Sequence, residues 1–300
     1  MNNVVTIVVK SDSRDLTRED IDKVKNTLEN TGAETSEHEW LSQGEAVDIP
    51  FKNLPNDIAT QVLLERFKHR NADIFSQNIE TREKKMLIAD MDSTIIEVEC
   101  IDEIAEILGL REKISGITKA AMNGELDFNI ALLERVSMLQ GVEESALKKV
   151  YEERITFTEG ARELIATMRA HNKLAVLISG GFTYFTDKVK NELGFSHSFA
   201  NKLEFKGSKL SGQVIGDIIN ANVKRETLIS LRETHRLKKS EVLAVGDGAN
   251  DIPMIAEAGF GVAFKAKQKT IKAANAFIHH TALNSLLFMQ GYKRDEFKKG

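Results

Sequence analysis

The sequence predicts an α/β protein whose main part is a doubly wound, Rossmann-like parallel sheet. Three observations support this fold class. From residue 86 onward, short apolar runs such as MLIAD, KLAVLIS and EVLAVGD alternate with helix-like segments. The runs are continuously apolar rather than alternating, as expected for strands that are buried on both faces. Three of them end in polar residues, at the edge where open α/β sheets bind their ligands.

Composition excludes several classes of protein. The 300 residues are 42% hydrophobic and 29% charged, which is ordinary for a globular chain long enough for two domains. A net charge of −4 offers no basic surface for nucleic acid or an anionic membrane, so we expect neither as a partner. The single cysteine, Cys100, excludes an internal disulfide and fits a reducing compartment. With no signal peptide and no apolar run near the ~20 residues of a membrane span, we expect a cytoplasmic protein.

Residues 1–80 predict a small N-terminal α/β domain. The run NVVTIVV is typical of a strand, and residues 17–32 are typical of a helix that Thr17 caps and Gly32 follows. Further strand and helix patterns give the order β-α-β-α-β, with the middle strand open to division into two. The charged run ETREKK, residues 80–85, marks the boundary, and we expect few contacts to cross it.

The catalytic core is predicted at residues 84–98 and 156–296, with two insertions. Residues 99–155 are almost wholly helix-like and follow the first strand, so we expect a helical cap that acts as a lid and excludes water. Residues 199–216 predict a β-hairpin flap that turns at Gly207 and Ser208.

Two acids follow the first core strand, in the sequence MLIADMDST. Asp90 and Asp92 lie two residues apart, so in an extended chain they point to the same side and repel each other. A strand that simply reaches solvent explains one acid better than two. Together with Asp247, which ends another strand, they offer the oxygen ligands that Mg²⁺ prefers. One carboxylate could attack phosphorus, and the other could serve as general acid and then base.

A second polar ending, SGG at residues 179–181, follows the apolar run LAVLI. Such a triplet is more often a turn, but its place after LAVLI puts Ser179 at the same predicted sheet edge as Asp90 and Asp247. Glycine allows the backbone to approach a phosphate closely.

The set DMDST, SGG, a lysine and GDGANDIPM, in this order, resembles the haloacid dehalogenase superfamily, and within it the phosphoserine phosphatases. The resemblance covers about residues 84–295. It implies that Asp90 is the nucleophile and a Mg²⁺ ligand, and that Asp92 is the acid and base, with its carbonyl oxygen on the metal. It implies that Asp247 completes the metal site and that Asp251 supports it through bound water. The expected activity is hydrolysis of O-phosphoserine through an aspartyl-phosphate, the last step of serine biosynthesis.

The resemblance also implies the residues that bind the phosphoryl group. Ser179, Gly180 and Asn250 would contact its oxygens. Lys224, at the start of a helix before the strand of Asp247, matches the lysine that neutralises the phosphate. Other basic residues remain open for that role, namely Lys202, Lys206, Lys209 and Arg225.

Recognition of the serine part is expected in the cap. The resemblance assigns the substrate ammonium to Glu99, in VECIDE, and the substrate carboxylate to Arg135, in RVSML. A guanidinium can hold a carboxylate through two hydrogen bonds. Read without the resemblance, Glu99 is an acid in a first helical turn, with Glu97 as its alternative, and Arg135 is a solvated helix residue.

The N-terminal domain resembles the ACT-like, ferredoxin-like regulatory units that accompany this family. ACT domains usually carry a glycine between the first strand and helix, and VVKSDSRDLT has none. We therefore expect a role in dimerisation or stability rather than ligand binding by residues 1–80.

Two other functions remain open. One is a related phosphatase or a phosphotransferase that passes the phosphoryl group to another alcohol. The other is a non-catalytic amino-acid sensor, which the presence of Asp90, Asp92, Lys224 and Asp247 disfavours, because a binder needs no nucleophile beside an acid.

Overall fold

The structure, a computed structural model, describes residues 1–122 and 125–300 of the chain. The predicted helix at residues 111–124 therefore has its last two residues, Asn123 and Gly124, outside the described part. Two sheets organise the described residues, one of five strands near the N-terminus and one of seven strands after it. No helix within the described ranges has the length and apolar character that a membrane span requires.

The N-terminal sheet is antiparallel, with the order β2-β4-β1-β5 and with β3 paired to β4. Helix α1 begins where the sequence predicts, because Thr17 accepts from the Asp20 amide and forms a capping box with that residue. The elements are β1 Asn3–Val9, α1 Arg18–Asn30, β2 Glu34–Thr35, β3 Glu39–Ser42, β4 Ala46–Lys52, α2 Asn56–Arg66 and β5 Ala72–Asn78.

The two faces of this sheet are buried in different ways. One set of alternate side chains, including Val5 and Ile7, forms a core with α1 and α2. The other set, including Val8 and Phe75, joins the hydrophobic core of the second sheet. Because side chains alternate along a strand, burial on both sides explains why β1 is apolar over most of its length.

The boundary segment is a contact region rather than a free linker. Arg82 Nη1 lies 2.6 Å from Asp48 Oδ2 on the N-terminal sheet, and its Nη2 donates to the Phe288 carbonyl. Lys84 is only 2% exposed, and its ammonium donates to the Thr81 and Ser240 carbonyls. The expectation of few contacts across residues 80–85 was therefore wrong, because these charged side chains point inward to buried partners.

The second sheet has the predicted parallel core, with the order β12-β11-β10-β6-β7-β8-β9. Only the β8–β9 pair is antiparallel, and it is the predicted hairpin flap. The strands are β6 Met86–Ala89, β7 Leu174–Phe182, β8 His197–Lys206, β9 Lys209–Ile215, β10 Val242–Gly246, β11 Phe260–Phe264 and β12 Ala276–Ile278. The helices after the cap are α7 Ala161–Ala170, α8 Thr183–Leu193, α9 Ala221–Thr234, α10 Ile252–Glu257, α11 Gln268–Ile271 and α12 Ser285–Met289.

The topology brings the three polar strand endings together. Strand β6 lies between β10 and β7, all three are parallel, and their carboxyl ends share one edge. The four residues of β6 are fully buried. Asp90 directly follows this strand and is the first residue in this part of the chain whose side chain lines the pocket. The site is therefore expected, and found, at this edge.

In the described part of the chain, four helices form the cap between β6 and β7: α3 Cys100–Ile107, α4 Arg111–Met122, α5 Phe128–Ser137 and α6 Glu144–Arg154. The cap is hydrogen-bonded to the flap, since the Gly141 amide donates to the Leu210 carbonyl at 2.8 Å and the Leu210 amide donates to Val142 at 2.8 Å. The two insertions thus cover the same edge of the sheet as one layer.

Asp73 on β5 should be a main contributor to the attachment of the N-terminal sheet. Its buried carboxylate accepts from the backbone amides of His279, His280 and Thr281 and from the Thr281 hydroxyl. Asp73→Ala leaves these buried donors unsatisfied, and we expect a loss of about 2–4 kcal/mol in the free energy of unfolding. Urea unfolding measures it. Asp22→Ala, on the exposed side of α1, is the control, with an expected change within about 0.5 kcal/mol. Equal stabilities for the two variants would contradict this assignment.

Candidate active site

Asp90 and Asp92 are held apart by the turn that follows β6. The chain kinks within Met91–Ile95: Asp92 is extended, with a φ of −64° and a ψ of 136°, and Ser93 has a φ of 56°, a left-handed conformation that few non-glycine residues adopt. Asp90 Oδ1 accepts from the Met91 amide at 2.8 Å. The carboxylate of Asp92 accepts from the Cys100 amide and from the Ser179 hydroxyl, each at 3.0 Å. The two acids therefore have different partners, although they start from one strand end.

Lys224 lies beneath Asp90 as its buried counter-charge. Its ammonium is 2.7 Å from Asp90 Oδ1 and 2.7 Å from Asp251 Oδ1, and the residue is 0% exposed. Helix α9 carries it in its first turn, and Asn220 caps that helix by accepting from two backbone amides. Burial alone would lower the pKa of Lys224, but the charges of Asp251 and Asp90 outweigh it and raise that pKa.

Three carboxylates could hold a cation. Oxygens of Asp90, Asp247 and Asp251 lie within 4.8 Å of one another. Both oxygens of Asp251 already accept hydrogen bonds, from Lys224 and from the Gly248 amide. Asp251 is thus suited to support a metal site from behind, whereas Asp90 and Asp247 face the pocket. An all-oxygen donor set of this kind fits a hard divalent cation.

The predicted glycine-rich triplet forms a loop at the end of β7. The Gly181 amide donates to the Ser179 hydroxyl oxygen at 2.8 Å, and that hydroxyl donates to Asp92. A Cβ on Gly181 would lie 2.6 Å from Asp92 Oδ2, so a side chain does not fit there. Glycine is required because the backbone and the Asp92 carboxylate approach each other closely.

The cap adds two charged side chains to the pocket lining. Glu99 Oε1 accepts from the Ser93 hydroxyl at 2.6 Å. Arg135 is 5% exposed; its Nε donates to the Ala131 carbonyl, and its Nη1 donates to Thr118 Oγ1 at 2.9 Å. Glu99 and Arg135 both line the pocket. Burial lowers the pKa of Arg135, and the charge of Glu99 opposes this shift.

Burial raises the pKa values of the acids in this pocket. Desolvation is the largest cause for Asp90 and Asp92, whose pKa values lie above their ordinary range. Burial, followed by the charge of Asp251, raises the pKa of Asp247 to about 7. Burial, followed by the charges of Asp92 and Asp247, raises the pKa of Glu99 to about 8. A cation or an ammonium group in the pocket would favour their ionised forms.

The structure brings the predicted site residues together. Eight of them line one pocket: Asp90, Asp92, Glu99, Arg135, Ser179, Gly180, Asp247 and Asn250. Lys224 and Asp251 are fully buried directly behind Asp90. The competing lysines of the flap, Lys202, Lys206 and Lys209, lie on β8 and β9 and outside the pocket lining.

Sequence reasoning missed Thr118, which lines the pocket on α4 and positions Arg135. Its hydroxyl group also lies 2.9 Å from Asp102 Oδ1, so the threonine connects the guanidinium to an acid. The available signal was its spacing, because Thr118 follows the fully buried Ile114 by four residues and so lies on the apolar face of α4. Phe128 and Leu132 were also missed; they close the pocket as apolar wall residues.

Comparisons with known proteins agree with this geometry. Residues 87–256 match the family model of haloacid dehalogenase-like hydrolases. A phosphoserine phosphatase of Albidiferax ferrireducens is 40% identical over 218 residues, which are 71% of this chain and 92% of that protein.

Two solved structures extend the comparison. A phospho-aspartyl intermediate analogue of a phosphoserine phosphatase is 38% identical, covers 69% of this chain and 98% of its own, and has a TM-score of 0.66. A probable phosphoserine phosphatase from Vibrio cholerae, unliganded, is 29% identical with a TM-score of 0.77. The latter match covers 100% of this chain and 90% of that one, and so includes the N-terminal sheet.

Glu99 should make the metal-free protein less stable as the pH rises. Its folded pKa of about 8 lies above the value of 4.5 expected for an unfolded chain, so the folded state binds the extra proton between these values. Stability from this group is present below pH 4.5 and is lost as the pH rises to about 8. Glu99→Gln removes this titration, and between pH 5 and pH 8 its free energy of unfolding should rise by about 3–4 kcal/mol relative to that of the wild type.

Urea unfolding in EDTA at several pH values measures this gain. Glu97→Gln, at an exposed acid two residues earlier, is the matched control and should follow the wild-type pH dependence. A constant stability difference between Glu99→Gln and the wild type across this range would show that Glu99 is not the group responsible.

Proposed function

The chain belongs to the haloacid dehalogenase-like hydrolases, and from this premise we propose that it hydrolyses O-phospho-L-serine to L-serine and phosphate, the last step of serine biosynthesis. The observation that carries the proposal is a single pocket lined by two chemically distinct sets of side chains. One set is Asp90, with Lys224 buried behind it, and the other is the cap pair Glu99 and Arg135. A phosphate ester that also bears an ammonium and a carboxylate group has charges complementary to both sets.

Asp90 is the proposed nucleophile. The hydrogen bond from Met91 and the contact with Lys224 both fall on its Oδ1, so among the described residues Oδ2 makes no hydrogen bond. An oxygen of this carboxylate attacks phosphorus, the bond from phosphorus to the serine oxygen breaks, and an aspartyl-phosphate forms. Lys224 stabilises the charge that collects there, since it is already fixed in a buried position and needs no rearrangement.

Asp92 is the proposed general acid and base. Its raised pKa means that it can carry a proton, which it donates to the departing serine oxygen. In the second step it accepts a proton from the water that attacks the aspartyl-phosphate, and the bond to Asp90 breaks. The hydrogen bonds from Cys100 and Ser179 hold its carboxylate in one position for both steps.

A divalent cation is the proposed cofactor, with Mg²⁺ as the metal. Asp90, Asp247 and the backbone carbonyl of Asp92 would hold it, and Asp251 would support it. When bound, the metal supplies positive charge that orients the phosphoryl oxygens and offsets their charge. The close approach of the carboxylate oxygens supports this assignment.

Phosphoryl binding falls to the loop of β7 and to Asn250. The Ser179 hydroxyl and the Gly180 amide are proposed to contact phosphoryl oxygens, because both lie in the pocket lining opposite Asp90. Asn250 lies in the same lining, and its amide adds a further donor on that side.

The serine part is proposed to bind between Glu99 and Arg135. Glu99 would bind the substrate ammonium, which also relieves the burial of its charge. Arg135 would bind the substrate carboxylate through Nη2, which makes no hydrogen bond among the described residues, while Thr118 and Ala131 hold Nη1 and Nε.

The assembly and location of the protein are also proposals. A homodimer through residues 1–80 would use the outer surfaces of α1 and α2, where Ile58 is 38% exposed, because one sheet face is buried against the core. Sedimentation velocity tests it, and a monomer would contradict it. The single buried thiol, Cys100, suits a cytoplasmic location.

Phosphate release from L-phosphoserine with Mg²⁺ tests the proposed function. We expect EDTA to abolish turnover, and kcat/KM to fall about 100-fold or more for two analogues. Phosphoethanolamine lacks the carboxylate that Arg135 would bind, and 3-phosphonooxypropanoate lacks the ammonium that Glu99 would bind. Glu99→Gln should reduce the preference for phosphoserine over 3-phosphonooxypropanoate and leave the preference over phosphoethanolamine unchanged. Equal activity on all three esters, or full activity in EDTA, would refute the assignment.

A further inference from the structure

We propose that Asn201 is the positioning residue of the phosphoryl-binding loop, a role that rests on the proposed function of that loop. Asn201 lies on β8, outside the pocket lining, and is 2% exposed. Its side-chain amide replaces hydrogen bonds that the sheet loses where the loop bulges from β7. It thereby fixes the direction of the groups that face the phosphate.

The loop interrupts the pairing of β7 with β8. Ile178 pairs with Phe199, and the next pair is Phe182 with Asn201. Three residues therefore separate the pairs on β7, whereas one residue separates them on β8. The two extra residues of β7 cannot follow the regular ladder, so their backbone groups need other partners.

The Asn201 amide supplies one of these partners. Its Nδ2 donates to the Gly180 carbonyl at 2.8 Å. The Gly180 carbonyl and the Gly181 amide belong to one planar peptide unit, so a bond to the first fixes the direction of the second. The Gly181 amide donates to Ser179 Oγ, and the Ser179 hydroxyl donates to Asp92. Asn201 therefore acts on the catalytic acid through the loop.

The other side of the same amide reaches the helix of Lys224. Asn201 Oδ1 accepts from the Ile219 amide at 2.8 Å. The next residue, Asn220, is the cap of α9, which carries Lys224 four residues later. One buried side chain thus joins the loop that is proposed to bind the phosphoryl group to the segment that leads into the helix of Lys224. A residue that merely satisfied its own hydrogen bonds would not need to connect these two segments.

The test uses Asn201→Asp and Asn201→Ala in the full chain. Asn201→Asp keeps the acceptor for Ile219 and loses the donor to Gly180, whereas Asn201→Ala loses both without adding charge. An effect that the two variants share cannot arise from the new charge. Asn275→Asp is the control with the same change of side chain. Asn275 accepts a hydrogen bond of 2.7 Å from the amide of Gly261, which lies on β11, and it is outside the pocket lining.

Calorimetric titration with inorganic phosphate and, separately, with L-serine, both with Mg²⁺, gives the readout. We expect both variants to bind phosphate at least tenfold more weakly and L-serine within twofold of the wild type, with kcat reduced more than KM changes. The control should match the wild type. Unchanged phosphate affinity, an equal loss for phosphate and L-serine, or unfolding of both variants would overturn the proposal. A wild type that binds phosphate without hydrolysing phosphoserine would remove the proposed function and leave this test intact.

Discussion

The site depends on the buried contact of Lys224 with Asp90 and Asp251. Two carboxylates and one ammonium in a water-free position are costly to desolvate, and they are tolerated only because each charge has a partner at 2.7 Å. Removing the Lys224 ammonium would leave the Asp90 and Asp251 carboxylates without a counter-charge beside Asp247. Lys224 therefore makes it possible to place the Asp90 carboxylate at the end of a fully buried strand.

The rest of the fold positions the residues that make this contact. Strand β6 brings Asp90 to the sheet edge between β7 and β10, and α9 brings Lys224 beneath it. The cap and the flap cover the edge, and the cap adds Glu99 and Arg135 to the pocket lining. Excluding water in this way strengthens every electrostatic interaction inside the pocket. The same arrangement of strands, cap and flap therefore balances the buried charges and also closes the pocket.

Much of this arrangement could be predicted from the sequence, because its signals are local. Apolar runs that end in acids, a glycine pair or a lysine-bearing helix show both the strands and the edge at which they meet. Partners that lie far apart in the chain give no such signal. The docking of Arg82 onto Asp48, the link from Thr118 to Arg135 and the amide of Asn201 depend on tertiary contacts. Each of those residues has an ordinary local pattern, so only the fold shows what it touches.

The most direct test of the central claim is acid quenching within milliseconds of mixing with phosphoserine and Mg²⁺, followed by mass spectrometry of the peptides. We expect covalent phosphate on Asp90 in the wild type. We expect none on the Lys224→Met variant, once circular dichroism has shown that this variant is folded. Phosphate on another residue, or labelling of Asp90 in Lys224→Met at the wild-type rate, would contradict the account.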